Sequence, residues 1–370
     1  MNRKVSLMDV NYDVCIVGAG PGGALLGYLL AKNGINVIVL ERNENMDKEF
    51  RGEHLNHLGE NVLKKYHLFD QVKQLGVLPM EGIEYWQNGR ILRTVSPAPD
   101  ERHVGIHVPQ KHLLSVLLKE SLQFSAYRLL TGTRATELML SDGKVKGVKA
   151  KRKNGEEIMI HSSIVIGSDG RHSTIRKLAK IPFEKIEHDY DLLWAKFPAP
   201  QNWQPVIRQG LVNDHQLALF TQTNSYIQVG WNIDKGAFAE IRKQPVETYI
   251  EKLIQAFPDL QQSVLKYIQS WQDFILLNVQ SCRCQTWVKD GLVLMGDAAH
   301  TMSPTGAFGL NSALIDAETL YPTIVKALAA NDTSAACLNE FERYRRTDIE
   351  SLQLEQQKME ASYREQFVSA

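Results

Sequence analysis

Tyr12-Asp-Val-Cys-Ile-Val17-Gly18-Ala-Gly20-Pro-Gly-Gly23-Ala-Leu-Leu-Gly-Tyr-Leu-Leu-Ala31 reads as a buried strand, a glycine turn and a packed helix. The apolar run to Val17 suits a central parallel strand. Asn33-Gly34 stops the helix, and Ile35-Asn-Val-Ile-Val-Leu40 forms a second strand that ends at Glu41. Gly18 permits the tight turn, Gly20 lets backbone approach a pyrophosphate, and Gly23 lets helix and strand pack closely. The helix N-terminus offers free N–H groups and the positive end of its dipole to phosphate. Glu41 stands about 20 residues past the last glycine, where a carboxylate accepts hydrogen bonds from ribose hydroxyls. Glycine loops also close ordinary turns, but here strand, turn, helix, strand and acid arrive in order. The segment predicts dinucleotide binding, without separating FAD from NAD.

Composition narrows the class around that segment. A chain of 370 residues predicts two cooperating domains, and 44% hydrophobic with 23% charged residues is ordinary for a globular protein. Forty-two Lys+Arg balance forty-two Asp+Glu, so net charge draws the chain to neither nucleic acid nor an acidic membrane. Val14 to Ala31 lacks charge, yet its five glycines and Pro21 fit a folded turn and not a membrane span. Asp9 and Asp13 spoil a basic leader. Four cysteines make no disulfide framework, and Cys282-x-Cys284 without a second cluster is a poor zinc signal. A reducing, cytoplasmic location is expected. Neither His54 and His57 nor His103, His107 and His112 come with a cysteine or carboxylate at a diagnostic metal spacing, so no metal is expected.

Two further stretches decide the cofactor. Ser162-Ser-Ile-Val-Ile-Gly-Ser-Asp169-Gly170-Arg-His-Ser173 is a strand running into a polar turn. Gly291-Leu-Val-Leu-Met-Gly296-Asp297-Ala-Ala-His300, followed by Pro304-Thr-Gly306-Ala307-Phe308-Gly309-Leu310-Asn311, is a strand, loop and helix. With the N-terminal fingerprint these resemble the class A flavoprotein aromatic hydroxylases, the para-hydroxybenzoate hydroxylase family. The resemblance runs from about residue 10 to 330 and is specific for the flavin fold, weaker for the substrate.

That resemblance implies FAD as cofactor. Asp169-Gly170 would touch its pyrophosphate region, and Gly296-Asp297 its ribityl or pyrophosphate portion. Glu41 and Arg42 would serve its ribose end. Arg51 falls where the family places a basic residue beside the cofactor, and Gln110 where many relatives carry arginine. Leu310 and Asn311 would offer backbone N–H groups to the flavin N1 and O2 edge, and Gly306 and Gly309 would let backbone approach that edge. Pro304, Ala307 and Phe308 would give an apolar roof, and Pro304, Gly306, Ala307 and Phe308 form the expected catalytic loop. The expected fold class is α/β. A discontinuous Rossmann-like FAD-binding domain covers 10–78, 104–180 and 276–332. A mostly antiparallel β-sheet substrate domain covers 79–103 and 181–275, and a C-terminal helical segment, expected as a solvated cover, covers 333–370. Within the substrate domain, Asn88-Gly89 marks a type I′ hairpin, and Arg208, Gln209, Tyr226 and Trp231 are pocket candidates of unknown facing. His300 is read as structural.

The implied activity is an FAD-dependent monooxygenase that uses NADH or NADPH and O2 to hydroxylate an aromatic or polycyclic small molecule through a C4a-hydroperoxyflavin. The protein would act as a monomer or homodimer. The alternatives on the same scaffold are a flavin halogenase, a geranylgeranyl-reductase-like enzyme, or a non-catalytic flavin-binding protein. Gly230-Trp-Asn-Ile-Asp-Lys235 keeps one Trp of the halogenase W-x-W-x-I-P signature and lacks its proline.

Overall fold

The computed structural model describes residues 8–46, 53–212 and 214–367. Its first sheet is built on strand Met8–Val17, which pairs in parallel with Glu157–Gly167 on one side and Val37–Leu40 on the other. Tyr127–Leu130 extends the sheet beyond Val37–Leu40, and Leu292–Leu294 extends it beyond Glu157–Gly167, both in parallel. An antiparallel hairpin, Thr133–Ser141 and Lys144–Arg152, joins the early part of Glu157–Gly167. The parallel strands are covered on both faces, which is why they read as unbroken apolar runs: Val14, Cys15, Ile16, Val37, Val39, Ile164, Ile166, Leu292 and Leu294 are all fully buried.

The register decides what this sheet can do. Val17 lies opposite both Leu40 and Gly167, and Gly167 lies opposite Leu294. Four strands therefore end level, and the segments leaving them begin at Gly18, Glu41, Ser168 and Met295. The fingerprint, the acidic residue and both downstream motifs meet on one edge because parallel strands share a carboxyl end.

A second, seven-stranded sheet runs in the order Ile275–Leu277, Tyr190–Pro198, Tyr226–Asp234, His215–Gln222, Val206–Val212, Gly82–Gln87 and Arg90–Val95. Only the contact between Val206–Val212 and Gly82–Gln87 is parallel. Asn88 and Gly89 both take positive φ, 51° and 73°, as a type I′ turn requires. One face carries Leu193, Phe197, Leu219, Val229 and Trp231 against Ile250, Leu253 and Phe257. Burying that face leaves the alternate residues to look towards the first sheet.

Helix Phe308–Ala329 continues through Pro322, an exposed position. The C-terminal part departs from expectation in one way. Helix Ala335–Ala361 is more than a solvated cover, because Leu338, Phe341 and Ile349 are completely buried in the core of the first sheet. Asp316 joins these pieces. Its carboxylate accepts from Gly296 N at 2.9 Å and Arg345 Nε at 2.9 Å, and pairs with His300 Nε2 at 2.7 Å. Burial alone would raise the Asp316 pKa, but His300, Arg345 and the Gly296 N–H outweigh it and hold the carboxyl below its usual range. His300, buried against the Trp287 ring, is a structural residue here.

Removing one partner from a buried charge network leaves the others uncompensated. Asp316→Ala should cost about 3–5 kcal/mol of stability in urea unfolding at neutral pH. A carboxyl whose folded pKa is depressed stabilises fully above its unfolded value and loses that contribution as pH falls through the folded one. The wild-type advantage over Asp316→Ala should therefore hold above about pH 4 and shrink only below it.

Candidate functional site

The site grows from the level strand ends. Gly18 has φ +107°, and a Cβ there would come within 2.2 Å of Ser168 O, so the turn is pressed against the neighbouring strand end. A Cβ on Gly23 would lie 2.1 Å from Gly18 O, which closes helix Pro21–Lys32 onto the turn. Gly20 differs: a Cβ there would meet nothing within 4 Å. The helix it caps has no side-chain cap and no acidic residue in its first turn. The N–H groups of its first turn thus lack a side-chain acceptor, and the space beside Gly20 at the positive dipole end is open, which fits a pyrophosphate.

Glu41 is buried and accepts from Ala19 N at 3.3 Å and from Asn43 N and Nδ2 at 2.9 and 2.7 Å. That holds a carboxylate beside the glycine turn, as a ribose-binding acid requires. Arg42 is exposed and lines a recess of about 290 Å³ with Arg134, Lys151 and Lys153. Arg51 lies outside the described residues. Gln110 begins helix Gln110–Ser121, and its N–H donates to Glu53 Oε1 at 3.0 Å. Glu53 also pairs with His107 at 3.0 Å, so Gln110 is fixed at the border with the second sheet.

Asp169 is placed differently from a residue that spends its carboxylate on a cofactor. It accepts from Ser173 Oγ at 2.5 Å, Thr174 N at 2.6 Å and Ile175 N at 3.1 Å, capping the short helix Thr174–Leu178. Burial raises its pKa against the lowering effect of those bonds. Gly170, at φ +82° with open space around it, leaves the backbone of this turn accessible. Gly296 takes φ 57°, ψ −145° and turns the chain into Asp297–His300. The Asp297 carboxylate sits against the start of helix Phe308–Ala329, 4.0 Å from where a Gly309 Cβ would lie.

The loop before that helix holds the least ordinary backbone. Gly306 has φ 71°, and a Cβ there would reach 2.9 Å from the Phe308 ring. Ala307 occupies the left-handed region at φ 54°, ψ 37°, a conformation that costs an L-residue about 1 kcal/mol or more. Because the helix starts at Phe308, the N–H groups without helical partners are those of residues 308–310. Asn311 sits one place further on, and its side chain does the notable work. Its Oδ1 accepts from Asn56 N at 3.0 Å, while Nδ2 donates to His54 O at 3.1 Å and Ala307 O at 3.0 Å.

Sequence reading missed what grips this loop. Helix Ala335–Ala361 lays Gln353, Gln356 and Glu360 along it. Gln353 Nε2 donates to Thr301 O at 3.2 Å, and Gln356 Nε2 donates to Ser303 O at 2.8 Å and Thr305 O at 2.6 Å. Glu360 accepts from Ser303 Oγ at 2.7 Å and Tyr190 OH at 3.1 Å, and pairs with His188 at 2.7 Å. Tyr190 OH also bonds Thr305 Oγ1 at 2.8 Å. Burial would raise the Glu360 pKa, yet the His188 and Ser303 bonds bring it below the ordinary value. The only sequence signal was a polar stripe at i, i+3 and i+7 in a helix that otherwise looked solvated.

Tyr190 shares its face of the second sheet with Leu192, Trp194, Phe220, Gln222 and Gln228. Strand alternation puts these opposite the packed face, and the Tyr190–Thr305 bond shows that they look towards the 303–308 loop. Trp194 and Phe220 are half-buried there, their rings 6.1 Å apart. Arg208 and Trp231 are not on this face. Arg208 is sandwiched between Trp86 and Trp203 and paired with Asp259, and Trp231 packs under the helices. Among the described residues, no helix is long and apolar enough to cross a membrane.

A family described as FAD binding domain matches residues 11–356. The chain is 31% identical over 341 residues to a 6-methylpretetramide 4-monooxygenase from Streptomyces rimosus, covering 91% of this chain and 81% of that protein. It is 26% identical over 334 residues to a p-hydroxybenzoate hydroxylase from Acinetobacter baylyi, covering 85% and 77%. Its fold is that of pqsL, a probable FAD-dependent monooxygenase from Pseudomonas aeruginosa, with a TM-score of 0.82, 20% identity, and 95% and 96% of the two chains covered.

The glycine geometry makes a paired prediction. Gly20 has φ −69° and open surroundings, so Gly20→Val should fold with near wild-type thermal stability yet lose bound flavin, because its side chain fills the pyrophosphate space. Gly18→Val should fail to fold, since its Cβ would overlap Ser168. Melting temperature and flavin absorbance together check both outcomes.

Proposed function

The chain belongs to the FAD binding domain family and, within it, to the FAD-dependent monooxygenases; on that premise we propose that it uses NADH or NADPH and O2 to hydroxylate an aromatic or polycyclic small molecule. The observation that carries the proposal is the aromatic face of the second sheet, Trp194 and Phe220, turned towards the 303–308 loop. The relative named for 6-methylpretetramide supports a fused-ring substrate over a single ring.

Glu41, the N–H groups after Gly20, Asp297 and the start of helix Phe308–Ala329 would hold FAD. When bound, FAD supplies the two-electron redox chemistry and the reaction with O2. The rest falls to the chain. Gly309 and Leu310, as free N–H donors at a helix N-terminus, would stabilise negative charge on the isoalloxazine edge. Pro304, Ala307 and Phe308 would close an apolar wall around the reacting centre and exclude water. Gln356 and Glu360 keep that wall in place through the backbone and hydroxyls of residues 303–305. Leu192, Trp194 and Phe220 would stack on a planar substrate, with Gln222 and Gln228 offering polar contacts at one end.

The deciding experiment is aerobic turnover with a panel of ring compounds, scoring NAD(P)H oxidation, oxygenated product and hydrogen peroxide. Gly306→Val should strain the loop and crowd Phe308. It should keep some NAD(P)H oxidation while diverting electrons from product to peroxide. If the wild type gives no oxygenated product from any ring compound but reduces an alkene, the hydroxylase reading is wrong and a reductase takes its place.

A further inference from the structure

We propose that His57, Glu60 and His103 form a divalent-cation site of the zinc type, outside the flavin machinery. His57 and Glu60 lie three apart on helix His57–Lys65 and so share one face, and His103 comes from the segment entering strand Ile106–His107. Their donor atoms all lie within 4.8 Å of one another. Glu60 Oε2 is the hub, 3.7 Å from His57 Nδ1 and 3.5 Å from His103 Nε2. Tetrahedral zinc at about 2.0–2.1 Å from each ligand sets ligand atoms about 3.3 Å apart, so the set closes when the two rings, now stacked 11° from parallel, turn to aim both in-plane lone pairs at one ion.

The hydrogen bonding around the cluster favours a cation. His57 Nε2 faces two acceptors, His103 O at 3.1 Å and Glu101 Oε1 at 3.2 Å. A ring proton on Nε2 serves those acceptors and turns the Nδ1 lone pair to a carboxylate oxygen. Two acceptors turned on each other want a positive charge between them. Glu101 then plays the part of the carboxylate that orients a zinc-bound histidine through its other nitrogen. Lys64 engages only the far oxygen, Glu60 Oε1, at 2.7 Å, which leaves Oε2 for the ion. Glu60 and His103 are buried, His103 Nδ1 has no partner, and the His103 ring lies parallel to His57 at 4.8 Å. Among the described residues, no other hydrogen bond holds that ring away from the site. His57 is one-third exposed, which gives an ion a path in and a place for a water ligand. Two imidazoles and one carboxylate select zinc over magnesium or calcium.

The test uses tag-free, flavin-loaded protein stripped with a chelator and titrated with Zn2+ against a chromophoric competitor. One equivalent should bind saturably and raise the melting temperature. Glu60→Gln and His103→Ala should each weaken binding about 10–100-fold while flavin absorbance stays at the wild-type level. If either substitution costs the protein its flavin, the single variant His57→Asn is read in its place by the same titration. Absence of saturable Zn2+ binding, or binding unchanged in the variants, would overturn the proposal.

Discussion

The structure depends on the level register of four parallel strand ends. Val17, Leu40, Gly167 and Leu294 stand side by side, so segments more than 250 residues apart in sequence leave the sheet at one edge. Because these strands are apolar on both faces, a slip of one residue would only exchange side chains between two buried faces. What fixes the ends is close fit, with Gly18 pressed on Ser168 and Gly167 on Leu294 and Ile175, and that register brings the site together. The chemistry-bearing residues contribute little to this placement. Glu41, Asp169 and Asp297 are carried to the edge by the apolar runs that precede them.

A second constraint acts at the 303–308 loop. Ala307 in the left-handed region and Gly306 at positive φ are conformations that a free chain would relax. They persist because the loop is held from several sides. Asn311 Nδ2 takes the Ala307 carbonyl, Gln356 takes those of Ser303 and Thr305, and Glu360 takes the Ser303 hydroxyl. The C-terminal helix is thereby bound to the site through hydrogen bonds and to the core through Leu338, Phe341 and Ile349. Asp316 links the same two helices to the turn at Gly296. Loop geometry and helix packing are coupled in this arrangement, so disturbing the far helix should be felt at the loop.

Much of this was legible in the sequence, for definite reasons. Fully buried parallel strands leave unbroken apolar runs, and the glycine turn and the Asn88-Gly89 hairpin need residues that tolerate unusual backbone. What could not be read is what depends on a partner. Whether Trp231 or Trp194 faces the site is a matter of strand parity, and parity has no sign until helix Glu247–Ala256 covers one face. The resemblance placed Asp169 at the cofactor, and nothing in the sequence showed that its carboxylate also accepts from Ser173, Thr174 and Ile175 of its own turn and helix. Gln353, Gln356 and Glu360 carried no distinguishing pattern, since a polar helical stripe facing backbone carbonyls looks like one facing water.

The same reasoning explains why the residues that matter around the loop are mostly amides and hydroxyls. On the proposed function, a loop placed against the reacting centre gains from positioning without a nearby ionisable group that could exchange protons with solvent. Gln356 can hold two carbonyls with one neutral amide, and Asn311 can bridge three backbone groups without adding charge. The single carboxylate in the clamp, Glu360, is bonded to His188 on its other oxygen and kept one hydroxyl away from the loop backbone by Ser303. The loop is thus held largely by neutral amides and hydroxyls, with the Glu360 carboxylate set behind the Ser303 hydroxyl.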